Sequence, residues 1–253
     1  MSINKKNTFE QHDNEEGSFY KSSVNPFKGS EYLNNYLEVD VCIIGGGLTG
    51  VSSALNIAKK GFSVALCEAR TIGWGASGRN GGQLGIGMRK EQSLIEKKLG
   101  FEYAKELWIL GLEAVSETTK LISDYKINCA LQKGVISAGY YKKNKEDFLF
   151  EIDHMQKYYN FSGYKYLDKD EINNEINTNL YHSGLLNNHS YHLNPLKLLV
   201  GLAYELPKLN VKIYENTPIT KILNDQNGVK VYSFKKTIKA EKVVVCCNGY
   251  LDR

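Results

Sequence analysis

Residues 40–50 read Asp40-Val41-Cys42-Ile43-Ile44-Gly45-Gly46-Gly47-Leu48-Thr49-Gly50. An apolar, β-branched run leads directly into a G-x-G-x-x-G pattern at Gly45, Gly47 and Gly50, and a helical pattern follows over 51–60. In such a unit the first glycine makes the tight turn, the second lets backbone N–H groups approach a pyrophosphate, and the third lets the helix pack on the strand. The stretch therefore predicts a dinucleotide-binding βαβ unit, with the phosphates at the helix N-terminus.

An acidic residue supports this interpretation. A second predicted strand, 62–67, ends at Glu68, eighteen residues after Gly50. A carboxylate at that distance is placed to accept hydrogen bonds from an adenosine ribose. The alternative is an accidental glycine-rich turn, because a lone G-x-G-x-x-G is weak evidence. The strand, the helix and the acid occur in the expected order and spacing, which favours the dinucleotide site.

A second glycine-rich segment follows, Thr71-Ile72-Gly73-Trp74-Gly75-Ala76-Ser77-Gly78-Arg79-Asn80-Gly81-Gly82-Gln83. So many small residues predict neither a core strand nor a stable helix. They allow the main chain to lie directly against a flat ligand with its N–H groups exposed as donors. A flexible surface loop is the alternative, but Arg79 and Asn80 lie centrally, where polar side chains can point at a bound group.

Composition and charge exclude several classes of protein. The 253 residues are 42% hydrophobic and 24% charged, which is typical of one large globular domain or two small ones. The net charge of +4 is small and the lysines are scattered, so we expect no nucleic-acid partner. No apolar run approaches the ~18 residues of a membrane helix, and residues 1–25 contain no secretory h-region. We therefore expect a cytoplasmic protein without a membrane partner.

The cysteines suggest a reducing compartment. Their number is odd, their spacing fits no metal site, and four of the five lie in apolar strand-like runs, where Cys acts as a small hydrophobic residue. They are Cys42, Cys67, Cys129, Cys246 and Cys247.

The middle of the chain predicts helices that belong to the first domain, followed by a separate α+β insertion. Helical spacing over 93–125 indicates two helices or one bent helix, with Gly100 and Gly111 as interruptions and Trp108 as a core residue. Strand, helix and strand patterns then alternate from 130, a short helix begins over 168–172, and these pieces predict the insertion.

The last part predicts a return to the first domain. Pro195 is placed to begin a helix over 195–206. Strands are expected at 211–214 and 217–222, and Asn227-Gly228 predicts a hairpin. The apolar run 238–247 predicts a fully buried parallel strand.

Taken together, these motifs resemble the FAD-dependent amine and D-amino-acid oxidase superfamily, and within it the gamma-glutamylputrescine oxidases. The resemblance runs from about residue 18 to the end, and GASGRNGGQ at 75–83 is its most specific piece. It also rests on Ser18-Phe19-Tyr20 with Asn25-Pro26, Gly45–Gly50, Glu68–Arg70, His192–Leu196 and Cys247–Tyr250.

The resemblance implies an α/β fold with a Rossmann-like FAD-binding domain and an α+β substrate-domain insertion. It implies an N-terminal arm at 1–38, an FAD-binding domain at 39–128 and 195–253, and part of a substrate domain at 129–194.

The implied cofactor is FAD, with no metal. The cofactor-binding residues that the resemblance implies are Gly45, Gly47, Leu48, Thr49, Gly50, Glu68, Ala69, Arg70, Gly75, Ala76, Ser77, Gly78, Arg79, Asn80, Gly81, Gly82, Gln83, Ile219, Cys246, Asn248 and Gly249. Of these, Ile219 is expected beside the adenine, and Cys246, Asn248 and Gly249 are expected to close the site. Cys246 stands where the family often has alanine.

The implied reaction is oxidation of a small-molecule primary or secondary amine to an imine and then an aldehyde, with O2 or another electron acceptor. Two alternatives stay open: a sibling oxidase or dehydrogenase of an N-methyl or D-amino acid, and a non-catalytic fragment or subunit. The second arises because family members continue beyond the length of this chain, so we expect a fragment or a truncated product. No catalytic residue is assigned. His189 and His192 are more typical of structural positions, and Tyr140 and Tyr141 are weak candidates for the substrate side.

Overall fold

The computed structural model describes residues 18–31, 33–34, 36–226, 228–234 and 236–251. These residues form two compact units. The first contains the described residues up to Gly81, Ile127–Cys129 and those from Asn194 onward; the second contains Gly82–Lys126 and Ala130–Leu193.

Strands and helices are numbered along the chain. The strands are β1 (Tyr36–Ile44), β2 (Val64–Cys67), β3 (Gln83–Leu84), β4 (Gln132–Gly139), β5 (Tyr164–Leu167), β6 (Ser183–His192), β7 (Lys212–Tyr214), β8 (Lys221–Asp225), β9 (Gly228–Ser233) and β10 (Lys236–Val245). The α-helices are α1 (Phe19–Ser22), α2 (Leu48–Lys59), α3 (Gln92–Leu99), α4 (Phe101–Asp124), α5 (Asn144–Tyr159), α6 (Lys169–Ile176) and α7 (Pro195–Ala203).

The first unit is built on a six-stranded sheet in the order β7-β2-β1-β10-β9-β8. The strands β7, β2, β1 and β10 run parallel, while β9 and β8 are antiparallel to their neighbours. Helix α2 joins β1 to β2 and buries Val51, Ala54 and Leu55. The predicted βαβ unit is therefore present, with β1 in the interior of the sheet.

Strand β10 confirms one part of its prediction and contradicts another. It pairs in parallel with β1 along its length. Full burial is wrong, since Val245 is 46% exposed. The reason is that β9 pairs only with residues 236–240, so in the described part of the chain the rest of β10 has a strand neighbour on one side only.

The strand predicted at 217–222 begins later than expected, at Lys221. Residues 216 and 217 bond to the segment after β2 instead, because Asn216 N donates to Arg70 O and Thr217 N donates to Glu68 O, both at 2.8 Å. Thr220 N already donates to Tyr232 O of β9 at 2.8 Å. The hairpin prediction concerns Asn227, which lies outside the described residues, and Gly228. Strands β8 and β9 do pair antiparallel, with Asp225 opposite Gly228.

The N-terminal arm is predicted to pack on the domain, and part of it lies outside the described residues. In the part that is described, the Phe27 ring lies 4.9 Å from that of Tyr204. Ser23 Oγ accepts a 2.9 Å hydrogen bond from Asn194 Nδ2. The oxygen of the same Asn194 side chain caps α7 by accepting from Lys197 N, and Pro195 is the first helical residue, as predicted.

The second unit contains a four-stranded antiparallel sheet in which β6 pairs with β3, β4 and β5. Its helices break at Gly100, whose φ of +84° separates α3 from α4, so the two-helix alternative is confirmed. Trp108 packs with Met155 and Phe161 in the core, as predicted.

Residues 82–126 belong to the second compact unit, whereas the predicted domain bounds place them in the FAD-binding domain. Gln83 pairs with His192 of β6, and Trp108 of α4 belongs to the core of the second unit. The sequence placed this stretch with the dinucleotide-binding part, because its helical pattern does not show which core it joins. The domain boundaries themselves stay a prediction. None of the described helices is both long enough and apolar enough to cross a membrane.

Gly111 of α4 lies against the backbone of Gly87, so a substitution at Gly111 measures how tightly the second unit is packed there. A Cβ at this position would lie 2.7 Å from the backbone N of Gly87 and 2.8 Å from its Cα. In an open helix Gly→Ala stabilises by ~1 kcal/mol. Here we expect Gly111→Ala to destabilise the fold by about 1–3 kcal/mol, because backbone has to move. Urea unfolding measures the change.

The matched control is Ser116→Ala, at an exposed position on the same helix, which should leave stability nearly unchanged. A Gly111→Ala protein at least as stable as the parent would contradict the close approach of the two glycines.

Candidate functional site

The glycine turn after β1 is sterically closed to side chains. Gly45 has φ of +112°, and its N donates to Cys67 O at 2.8 Å. A Cβ on Gly45 would lie 2.5 Å from Cys246 O, and one on Gly50 only 1.8 Å from Gly45 O. Helix α2 therefore packs directly on the turn, which is the role the sequence gives to the third glycine.

The start of α2 is held by a side chain from a later loop. Gly47 precedes the helix, and Ser77 Oγ accepts from Leu48 N at 3.0 Å. A Cβ on Gly47 would lie 2.8 Å from the same oxygen. Thr49 and Gly50 complete the first turn. The N-terminal N–H groups of the twelve-residue helix α2 therefore lie beside the Ser77 hydroxyl. Such a helix start, with its positive dipole end, is suited to bind an anion.

The carboxylate of Glu68 lies beside this turn. Its Oε2 accepts from Gly46 N at 2.6 Å, and its Oε1 accepts from Arg70 N at 2.8 Å. A carboxylate has about four lone-pair positions, so both oxygens can still accept from the hydroxyls of a ligand. Ala69, between Glu68 and Arg70, is half-buried. The acid that the sequence singled out therefore lies next to the glycine motif.

The second glycine-rich segment folds back on the first. Gly73 N donates to Gly46 O at 3.1 Å. A 3-10 turn follows at Ala76–Gly78, and a Cβ on Gly78 would lie 2.2 Å from Gly73 O. Asn80 Nδ2 donates to Ser77 O at 3.0 Å, which closes this turn. The part of the segment in the first unit is thus packed rather than loose.

The remaining predicted residues of that segment divide between the two units. Gly75 contacts the side chain of Tyr250, since a Cβ there would lie 3.0 Å from Tyr250 Cε2. Gly81 is exposed and belongs to the first unit, whereas Gly82 and Gln83 belong to the second.

Trp74 is a residue that the sequence reasoning missed. The guanidinium carbons of Arg79 and Arg70 lie 5.0 and 5.7 Å from the centre of its ring, and Arg79 Nε donates to Trp74 O at 2.8 Å. The Tyr250 ring is 6.0 Å away. The available signal was an aromatic residue between two arginines in an otherwise small-residue loop, a composition that favours cation–π contacts.

The segment after β10 closes the other side of the turn. Cys246 N donates to Ile44 O at 2.7 Å, and Cys247 Sγ donates to the same oxygen at 3.4 Å. Burial raises the pKa of both thiols, so neither is an activated nucleophile. Asn248 has φ of +50°, and no described atom lies within 4 Å of the place where a Cβ on Gly249 would be.

Ile219 is displaced from its expected setting. The resemblance implies a strand residue, but it lies before the first residue of β8. Its half-buried side chain packs on the core cluster of the parallel sheet, which includes Cys67 and Tyr214.

The histidine and tyrosine candidates of the second unit gain no chemical role from the structure. The His189 ring lies 5.2 Å from that of Phe161 and packs on it edge to face. His192 is exposed at the end of β6. Tyr140 and Tyr141 are exposed, with ring centres 5.1 Å apart. These contacts are structural, and no catalytic residue is assigned.

Comparison with known proteins identifies the family to which this fold and turn belong. Residues 40–253 match the family described as FAD dependent oxidoreductase. The chain is 33% identical to the gamma-glutamylputrescine oxidoreductase of Escherichia coli, over 92% of this chain and 54% of that protein. It is 32% identical to the probable oxidoreductase OrdL of Rhizobium meliloti, over 92% of this chain and 55% of that protein. The chain thus spans about half the length of these relatives.

Solved structures show the same fold. Glycine oxidase from Geobacillus kaustophilus superposes with a TM-score of 0.66 at 23% identity, over 83% of this chain and 55% of that one. L-amino acid deaminase from Proteus myxofaciens superposes with a TM-score of 0.63 at 21% identity, over 88% of this chain and 47% of that one.

These matches confirm the predicted α/β fold class, the resemblance and the FAD cofactor. Because the family match covers more than four fifths of its length, the chain belongs to the FAD dependent oxidoreductase family.

Proposed function

We propose that this chain forms the FAD-binding part of an amine oxidoreductase that acts on a gamma-glutamylputrescine-like substrate. The observation that carries the cofactor assignment is the glycine turn, with α2 on one side and the Glu68 carboxylate on the other. The substrate assignment is supported by the 33% identity to a gamma-glutamylputrescine oxidoreductase.

The proposed placement of FAD follows from the space and donors at this turn. The pyrophosphate would lie at the start of α2, beside Gly47, which contributes no Cβ, and near the Ser77 hydroxyl that accepts from Leu48 N. Glu68 would accept from the adenosine ribose, and Ile219 would lie on the adenine side. Residues 76–81 would line the ribityl chain and the flavin ring, and Cys246, Asn248 and Gly249 would close the site.

Bound FAD would supply a hydride acceptor for the amine-bearing carbon of the substrate, and the resulting imine hydrolyses to an aldehyde and ammonia. The residues of this chain would hold the cofactor: the N-terminus of α2 would offset phosphate charge, and Glu68 would fix the ribose. We further propose that O2 is the electron acceptor, that the protein is cytoplasmic, and that nucleic acid is not a partner.

The test begins with the absorption spectrum of the purified chain after incubation with FAD and removal of excess. We expect retained flavin bands. Gamma-glutamylputrescine, sarcosine, glycine and D-alanine are then added separately without oxygen, and bleaching of the flavin is followed.

Bleaching fastest with gamma-glutamylputrescine supports the proposal, and hydrogen peroxide released when air is admitted identifies O2 as the acceptor. Faster bleaching with an amino acid would favour the sibling oxidase or dehydrogenase. Retained flavin that no substrate bleaches would favour a non-catalytic fragment.

Gly47→Val should abolish flavin retention. Its φ of −87° is open to any residue, so the backbone tolerates the change, but the side chain meets Ser77 Oγ and occupies the space proposed for the pyrophosphate. Absorption measures bound FAD, and circular dichroism checks that the fold is kept.

Asn56→Ala, at an exposed position on the same helix, is the control and should stay yellow. A folded Gly47→Val protein that retains its flavin would refute the proposed placement.

Glu68→Ala should weaken FAD binding by about 1.5–3 kcal/mol, the contribution of hydrogen bonds to a charged group. Fluorescence titration of the apoprotein with FAD gives the dissociation constant. Glu241→Ala removes an exposed acid of β10 and should have no effect. An unchanged constant for Glu68→Ala would mean that the ribose lies elsewhere.

A further inference from the structure

We propose that Glu215 is a positioning residue for the adenosine end of FAD, which it serves by holding the segment between Glu68 and Gly73 against the glycine turn. This inference rests on the proposed placement of the cofactor and adds a residue that neither the sequence motifs nor the family resemblance singled out.

Glu215 follows β7, the strand beside β2, and the chain segments that leave these two strands are hydrogen-bonded to each other. Three of the bonds join backbone atoms: Glu68 N to Tyr214 O at 2.9 Å, Thr217 N to Glu68 O at 2.8 Å, and Asn216 N to Arg70 O at 2.8 Å. The fourth is different. Ile72 N donates to Glu215 Oε1 at 2.6 Å, and this bond requires a side-chain acceptor.

Ile72 is the point at which this segment returns to the glycine turn. Its side chain is 5% exposed, and its Cδ1 lies 2.7 Å from the position of a Cβ on Gly46. The next residue, Gly73, donates its N–H to Gly46 O. Gly46 N in turn donates to Glu68 Oε2. Glu215, Ile72, Gly46 and Glu68 are therefore linked by direct contacts around the carboxylate that is proposed to bind the ribose.

The setting of Glu215 is costly for a carboxylate, which argues for a specific role. Burial raises its pKa, the bond from Ile72 lowers it, and the charge of Glu68 raises it again. Its backbone is fixed as well, because Glu215 N donates to Ser30 Oγ at 2.9 Å. The hydrogen bond from Ile72 N offsets part of the cost of half-burying this carboxylate beside a second acid.

Loss of this bond should leave the strands paired, since the three backbone bonds remain. It should release Ile72 and with it the segment that presents Glu68. We expect Glu215→Ala to raise the dissociation constant of FAD, measured on the apoprotein, about tenfold. ADP, which carries the adenosine end without the flavin, should be weakened by a similar factor. Glu215→Gln retains an acceptor oxygen for Ile72 N and should bind both ligands within about threefold of the parent.

The double variant Glu68→Ala/Glu215→Ala separates positioning from general destabilisation. If Glu215 acts through Glu68, the double variant binds FAD no more weakly than Glu68→Ala alone. Fully additive losses would overturn the inference, and so would a Glu215→Ala protein that binds FAD and ADP like the parent. A Glu215→Gln protein as defective as Glu215→Ala would also overturn it, because charge rather than the hydrogen bond would then matter.

These results are distinguishable from failure of the proposed placement. If Glu68→Ala binds FAD normally, the ribose assignment fails and the inference falls with it. If Glu68→Ala is defective while Glu215→Ala is normal, only the inference fails. Glu241→Ala is again the control for removal of a surface charge.

Discussion

The close contact between the start of α2 and the turn after β1 is the constraint on which the first unit depends. Gly50 packs so tightly on Gly45 O that no Cβ fits, and a Cβ on Gly45 would also lie too close to Cys246 O. A helix brought this close points its N-terminal N–H groups into the space beyond the strand ends. The binding potential of the turn is thus a direct result of packing, since the same missing side chains that allow the contact also clear the space.

Several segments distant in sequence converge on that turn, and each contributes a different interaction. Glu68 binds a backbone N–H of the turn, Ser77 accepts from the helix start, and Cys246 donates to the end of β1. In each of these contacts at least one partner is a backbone group. The contacts therefore fix the shape of the turn rather than supply reactive side chains. Chemistry at the turn then depends on the few side chains that remain available, chiefly the carboxylate of Glu68.

The sequence predicted the features that depend on local spacing. It did not predict the features that depend on which strands pair over long distances in the chain. Gly45, Gly47, Gly50 and Glu68 could be placed because motif spacing fixes them relative to one strand and one helix. Val245 could not, because its exposure depends on how far β9 extends along β10. Residues 82–126 lie in the second compact unit, whereas the sequence grouped them with the dinucleotide-binding part, for the same kind of reason: the periodicity does not show that β3 pairs with β6 over two residues. Trp74 and Glu215 act through contacts across loops, for which no spacing rule exists.

The partly unpaired strand β10 has a consequence for handling the protein. From Glu241 to Val245 its backbone is bonded to β1 on one side, and in the described part of the chain no strand covers the other. A row of open donors and acceptors beside exposed valine is a template on which a further strand can add, from the same or another molecule. Concentrated solutions of this chain are therefore prone to edge-to-edge association, and a charged residue in place of Val245 is the natural means of suppressing it.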